Sequence, residues 1–174
     1  MLDKLGPRIC ILGPSNSGKS TLADAIARKC SLPVVHLDQL FHQPHTNWVP
    51  RPETEFLHLH DLAIRQEQWV IEGNYTRCVA QRLAHATGFI LLDVSTVTSL
   101  LRYFRRCWFE RERRGALIGG MDSVKWKMLH HIAVVTPPNR KRYVQLFEQV
   151  SLPKVRLATI EQLHRFYLAE GLPR

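Results

Sequence analysis

Gly13-Pro14-Ser15-Asn16-Ser17-Gly18-Lys19-Ser20 is the stretch on which the reading of this chain turns. It has the form G-x-x-x-x-G-K-[ST], a loop whose backbone N–H groups cradle a polyphosphate. Its surroundings supply the context such a loop needs. Before it, Arg8-Ile9-Cys10-Ile11-Leu12 is an apolar, partly β-branched run of strand length bounded by Gly13. After it, Leu22, Ile26 and Cys30, with Ala23 and Ala25 beside them, recur at helical spacing. Strand, loop and helix come in the order the motif requires.

Each residue type in the loop has a physical reason. Gly13 and Gly18 permit backbone angles closed to side chains. The successive N–H groups that follow Pro14, from Ser15, Asn16 and Ser17 onward, then turn inward as an anion nest at a helix N-terminus, where the dipole favours negative charge. Lys19 brings a full positive charge to β- and γ-phosphates, and the Ser20 hydroxyl can ligate a magnesium ion that keeps most of its shell as water and phosphate oxygen. The expected ligand is a nucleoside triphosphate with magnesium.

At 174 residues the chain is long enough for one domain with a sizeable core, residues 1–174. Its formal net charge of +9 points to anionic partners, nucleotide or nucleic acid. Cys10, Cys30, Cys78 and Cys107 lie far apart and form no C-x-x-C; three sit in apolar surroundings, so they are expected to be buried thiols of a reducing cytosol rather than disulfides or a zinc site. Residues 2–6 are too short and too polar for a leader, and no stretch is long and apolar enough for a membrane span, so a cytoplasmic protein without membrane contact is expected. The histidine pairs His42/His45, His58/His60 and His130/His131 match no zinc spacing and are expected to be exposed or in loops.

Strands and helices alternate along the chain. Strands are predicted at Arg8–Leu12, 33–37, 69–71, 89–92 and Lys154–Leu157, with helices near 20–30, 53–68, 77–85, 96–114, 123–132, 139–150 and 159–170. In the helix at 53–68, Phe56, Leu57, Leu59 and Leu62 are expected inward. In the helix at 96–114, Val97, Leu100, Leu101, Phe104 and Trp108 form the apolar stripe. A loop rich in Pro, His and Asn is expected from 39 to 52, a Gly-rich stretch at 115–120, and a break at Thr136-Pro137-Pro138. Five short strands with helices between them imply right-handed crossovers and a parallel α/β sheet covered on both faces.

Ligands of such sheets bind beyond the carboxyl ends of the strands, where Asp38, Glu72 and Asp93 fall. Glu72, after Trp69-Val70-Ile71 and before Gly73, is the expected acid that orients magnesium through water, and Gly73 lets backbone approach the ligand. Asp38 is the better candidate for holding an acceptor hydroxyl and taking its proton. Asp93 is the weakest of the three and reads as a strand-end cap or ion pair. The helix at 96–114 carries Arg102, Arg105, Arg106, Arg111, Arg113 and Arg114. Arg102, Arg106 and Arg113 share a face away from the apolar stripe, and guanidinium is suited to the charge that builds up on a phosphoryl group in flight. The Gly-rich stretch would let this segment close as a lid over about 96–135.

These pieces together resemble the adenylate-kinase-related phosphate-loop proteins, especially the small bacterial DNA topology modulation proteins. The matching strings are Gly13–Ser20, His36-Leu37-Asp38-Gln39-Leu40-Phe41 with Trp48 and Pro52 after it, Trp69-Val70-Ile71-Glu72-Gly73-Asn74-Tyr75, Leu91-Leu92-Asp93 and the Arg-rich helix. The resemblance implies a three-layer, nucleoside-monophosphate-kinase-like phosphate-loop fold with a five-stranded parallel sheet in the order 2-3-1-4-5. It implies ATP along Gly13–Ser20 and Thr21, an acceptor between strands two and three, and a lid after the long helix. Adenylate kinases carry Thr-Gly-Asp after strand two and Asp-Gly-x-Pro-Arg after strand three. This chain has Leu37-Asp38-Gln39 and Glu72-Gly73-Asn74-Tyr75-Thr76-Arg77, so AMP is not the expected acceptor. Asp38 is similar in place to the Asp that holds a substrate hydroxyl in small-metabolite kinases of this fold, and Arg51 and Arg77 are candidates for an anionic group on the acceptor.

The expected activity is magnesium-dependent transfer of the ATP γ-phosphate to a small molecule. Lys19 and the loop would hold the phosphates, Ser20 and Glu72 the metal, Asp38 the acceptor, and Arg106 and Arg113 the transferring group. A nucleotide-dependent, DNA-associated regulatory protein and a plain ATPase stand as alternatives. The chain has neither a DNA-reading motif nor aromatic platforms interleaved with its basic residues, so nucleic acid is not the favoured partner.

Overall fold

In a computed structural model, residues 1–109 and 136–173 are described, with side chains described outside 103, 105–109 and 136–138. The elements in chain order are α1 (Leu2–Leu5), β1 (Arg8–Leu12), α2 (Lys19–Cys30), β2 (Val34–His36), α3 (Leu37–Phe41), α4 (Glu53–Ile64), β3 (Trp69–Glu72), α5 (Thr76–His85), β4 (Gly88–Leu92), α6 (Thr96–Phe109), α7 (Thr136–Gln149), β5 (Lys154–Leu157) and α8 (Ile160–Ala169). The five strands form one sheet in the order β2-β3-β1-β4-β5, as the resemblance implies, and every pairing is parallel, as the alternation of the sequence predicts.

The central strands explain the unbroken apolar runs. Ile9–Leu12 of β1 and all of β4 are buried, because helices cover both faces of a parallel sheet and leave no solvent side on which to alternate. One face packs Ile9, Ile11, Val70, Ile90 and Leu92 under Leu22 and Ile26 of α2 and Leu163 and Phe166 of α8. The other packs Cys10, Leu12, Ile71, Phe89 and Leu91 against Ile64, Leu83, Tyr143 and Phe147. Each fully buried Leu, Ile or Phe contributes about 1.5–3 kcal/mol, so these two layers hold the strand ends in place.

Several elements differ from their predicted form. The chain continues from β2 straight into the short helix α3, so Asp38 lies in a first helical turn and the expected loop from 39 begins inside a helix. In α4 the inward stripe is Phe56, His60 and Ile64, spaced one turn apart, whereas Leu57 and Leu62 are exposed. The stripe contains a histidine, which a count of apolar residues passes over. That same fact corrects the expectation for the histidines, since His60 is fully buried. Val97 and Leu101 of α6 are 65% and 66% exposed, and the buried position in that turn is Ser99. Pro137 and Pro138 open α7 instead of breaking the chain, because the first-turn N–H groups that proline lacks have no intrahelical partner anyway. Cys10 and Cys78 are buried free thiols, but Cys30, at the last position of α2, is exposed. Arg113, the Gly-rich stretch, the helix at 123–132 and most of the expected lid lie outside the described residues.

Candidate functional site

The phosphate loop joins β1 to α2 at the carboxyl edge of the sheet. Gly13 has φ 153°, and a Cβ there would stand 2.4 Å from the Leu92 carbonyl oxygen, so only glycine fits between the loop and β4. The turn closes with Ser17 N–H donating to Pro14 O at 3.2 Å, and Asn16 takes a left-handed conformation that its short polar side chain tolerates. Lys19 opens α2 and arches back, Nζ donating to Pro14 O at 3.0 Å. Thr21 follows on the exposed side of the helix.

Behind the loop stands a run of polar side chains. Ser20 Oγ donates to Glu72 Oε1 at 2.9 Å. His36 Nδ1 lies 3.0 Å from the same oxygen, and His36 Nε2 lies 3.1 Å from Asp24 Oδ1. Burial alone would raise the Glu72 carboxyl, but the His36 hydrogen bond and the Lys19 charge outweigh it and hold Glu72 below the usual range. Burial alone would lower His36, but its two carboxylate partners outweigh it and raise it. Glu72 is therefore an anion although only 3% exposed. Ser20 and Glu72 fit a magnesium ion: the Ser20 proton is spent on Glu72, so its oxygen has lone pairs to offer a cation, and Glu72 beside it carries negative charge. Among the described residues no group of three His, Cys, Asp or Glu side chains is placed to hold a metal ion.

The segment after β3 touches both halves of the site. Gly73 has φ 132°, and a Cβ there would meet Leu37 Cβ at 2.8 Å. Its carbonyl accepts from Nη2 of Arg82 at 2.8 Å, a guanidinium that is itself fully buried in α5. Asn74 Oδ1 accepts the Gly13 N–H at 3.2 Å, and Tyr75 Oη donates to Asp38 Oδ1 at 2.8 Å. Burial and the Asp38 charge push the Tyr75 phenol well above its usual value, so it stays a donor. Beside this pair Phe41, Phe56 and Tyr75 pack ring against ring, with centroids 5.0–5.2 Å apart. Arg51 and Arg77 meet at the first turn of α4, where Arg51 pairs with Glu55 at 2.7 Å and Arg77 with Glu53 at 2.5 Å. Neither guanidinium is a lone cation.

From the far side, Arg102 of α6 donates from Nη1 to Ser17 O at 2.6 Å, so this helix lies against the phosphate loop. Arg106 comes one turn later in α6, its side chain outside those described. Asp93 is buried at the end of β4 and is held by Arg140 of α7 and Arg156 of β5, the latter from Nη2 at 2.6 Å.

The structure thus brings Gly13–Ser20, Glu72, Gly73 and Asp38 to one edge, and it adds His36, Asp24, Asn74, Tyr75 and Arg82, to which sequence reasoning gave no role. A signal existed for two of them: Asp24 stands one turn after Ser20, and His36 ends the strand beside Glu72.

No protein-family model and no curated protein matches the chain. Among solved structures it is similar to a shikimate kinase from Bacteroides thetaiotaomicron, at 20% identity and TM-score 0.56, covering 95% of this chain and 99% of that one. It is also similar to a shikimate kinase from Acinetobacter baumannii in complex with shikimate, at 15% identity and TM-score 0.54, covering 98% and 96%. A third is a deoxyadenosine kinase from M. mycoides with bound dATP, at 13% identity and TM-score 0.54, covering 94% and 98%. At these identities the likeness is one of fold: a five-stranded parallel α/β sheet that this chain shares with those structures.

Proposed function

We propose that this chain is a magnesium-dependent phosphotransferase that moves the γ-phosphate of ATP to a hydroxyl of a small molecule. The observation that carries this reading is the segment Glu72-Gly73-Asn74-Tyr75, which holds Ser20 and Gly13 of the phosphate loop with one end and the Asp38 carboxylate with the other. Three side chains of one four-residue segment thus join the loop to the Asp38 carboxylate, which supports reading them as donor site and acceptor base. The solved structures of similar fold support a small-molecule acceptor, since one is in complex with shikimate and another is named for deoxyadenosine.

In this reading the loop amides, Lys19 and Thr21 would hold the triphosphate, and Ser20 with Glu72 (through water) would hold magnesium, which would supply charge neutralisation at the phosphates. Tyr75 occupies Asp38 Oδ1, so Oδ2 is the oxygen left to accept the proton of an acceptor hydroxyl. Arg102 lies at the loop already, and Arg106 and Arg113 join it to stabilise the moving phosphoryl group. Arg51 and Arg77 are the candidates for an anionic group on the acceptor, which would have to compete with their exposed glutamate partners. The whole chain acts as one phosphate-loop domain in the cytoplasm, with about 96–135 as its lid. The Leu37-Asp38 and Glu72–Tyr75 strings support membership of the topology modulation subgroup of adenylate-kinase-related proteins.

The test is a mass-detected transfer screen with ATP against hydroxylated metabolites, nucleosides, AMP and DNA ends. Phosphorylation of a hydroxyl compound is expected, with AMP inert. Lys19→Ala and Asp38→Asn should each lower kcat/KM by about 10²-fold or more. ATP consumption with no phosphorylated product would overturn the reading in favour of a plain ATPase, and full activity in Lys19→Ala would overturn the mechanism built on the phosphate loop.

A further inference from the structure

The polar side chains behind the phosphate loop form a closed circuit. Ser20 and Asp24 lie one turn apart on α2, so their side chains share a face. From that face Ser20 reaches Glu72 Oε1 at 2.9 Å and Asp24 reaches His36 Nε2 at 3.1 Å. His36 closes the ring, with Nδ1 at 3.0 Å from Glu72 Oε1. The sheet makes this contact obligatory. His36 of β2 and Glu72 of β3 are register partners in the parallel pairing, so their side chains leave the sheet on the same side as neighbours. Both are buried, at 7% and 3% exposure.

The two donors do not share the carboxylate evenly. Ser20 and His36 both converge on Oε1. Oε1 is thereby spent on protein, and Oε2 is the oxygen left to accept from water. A carboxylate meant only to neutralise a buried histidine has no need to take the serine proton of a phosphate loop as well. One meant to orient the waters of a metal needs both: a fixed plane, and a serine whose lone pairs are free.

We propose that His36 is a positioning residue for magnesium: it locks the Glu72 carboxylate through Oε1, with Asp24 locking His36 in turn, so that Ser20 and Glu72 present fixed oxygens to the metal carried by the nucleotide. The inference rests on the reading of Ser20 and Glu72 as the metal pair. His36 touches neither nucleotide nor metal in it. Residues that orient metal ligands typically change metal affinity by about 10–100-fold when removed.

The test reads binding, not turnover. The affinity of the full chain for mant-ATP is measured by fluorescence in excess magnesium and again in EDTA, and the ratio of the two is the magnesium gain. In His36→Leu the gain is expected to fall about tenfold or more, while affinity in EDTA stays within about twofold of the wild type. His36→Asn places an amide N–H where Nδ1 stands and should restore most of the gain. His36→Gln places its amide where Nε2 stands, toward Asp24, and should not. A thermal melt of each variant accompanies the titration. Should His36→Leu fail to fold, the Asn and Gln pair decides.

A wild-type magnesium gain in His36→Leu would overturn the proposal. So would equal losses with and without magnesium, which mark a merely structural histidine, or Asn and Gln variants that behave alike. A wild-type chain that binds mant-ATP no tighter with magnesium than in EDTA would instead overturn the reading of Ser20 and Glu72 on which the proposal stands.

Discussion

His60 and Arg82 are buried polar side chains that no motif announces, and they behave differently. Arg82 uses its guanidinium to fix the Gly73 carbonyl and to donate to Cys10 Sγ at 3.3 Å. Among the described residues His60 has no hydrogen-bond partner at either ring nitrogen. Burial and the neighbouring Arg82 charge lower it from the ordinary value of 6.5 to about 4. Above the unfolded value the imidazole is neutral in both states and contributes no pH dependence. As pH falls below it, the unfolded chain takes up a proton that the folded chain refuses. Stability present above pH 6.5 is therefore lost progressively toward pH 4, by about 3 kcal/mol in all. His60→Leu should remove that part of the acid slope. Because neither ring nitrogen is bonded, it should cost little at neutral pH. Urea unfolding of both proteins at neutral pH and near pH 5 measures it, and parallel acid slopes would show that His60 does not carry the effect.

At the scale of elements, the strand ends carry the chemistry, and one ion-pair cluster ties the end of β4 to α7 and β5. Asp93 there receives Arg140 from α7 and Arg156 from β5, so one buried carboxylate anchors the helix that returns after 110–135. Both guanidiniums are more than a third exposed, which discounts their attraction for solvent screening. Asp93→Asn keeps the shape and loses the charge, and it should cost about 1–3 kcal/mol, read as a lowered Tm. If Asp93→Asn and Arg140→Ala were additive in a double-mutant cycle, the anchor would not exist. Elements were legible where one rule governs them. β1 and β5 have their predicted bounds, because an apolar or β-branched run between turns has no competing period. The inward face of α4 was not legible, since His60 occupies a core position that hydrophobicity assigns to leucine. Nor was α3, whose five residues give no period to read. The opening of α7 was misread because proline breaks a helix interior but suits its first turn.

For the whole molecule, the alternation of strands and helices announces a parallel sheet, whereas the order of its strands came only from the family resemblance. The site was legible in part. Gly13–Ser20 is contiguous, so its spacing shows it. The links of Glu72 to His36, Asn74 to Gly13 and Tyr75 to Asp38 exist only once β2, β3 and β1 lie side by side, and no local pattern encodes that neighbourhood. The remaining global property is charge. Lys and Arg number 24 against 15 Asp and Glu, giving +9. Many of the described arginines are already committed, Arg51 to Glu55, Arg65 to Asp61, Arg77 to Glu53, Arg165 to Glu161, and Arg140 and Arg156 to Asp93. What such pairs leave is the net field, which acts at long range on any polyanion. A field of this sign steers a magnesium-bound nucleotide toward the protein and is screened over a Debye length of about 10 Å at 0.1 M salt. The association rate of mant-ATP in stopped flow should therefore fall about three- to tenfold between about 20 mM and 300 mM ionic strength, with dissociation changed far less. Uncharged mant-adenosine should show no such fall. A salt dependence confined to dissociation would mean that local contacts within the phosphate loop, rather than the charge of the whole chain, bring the nucleotide in.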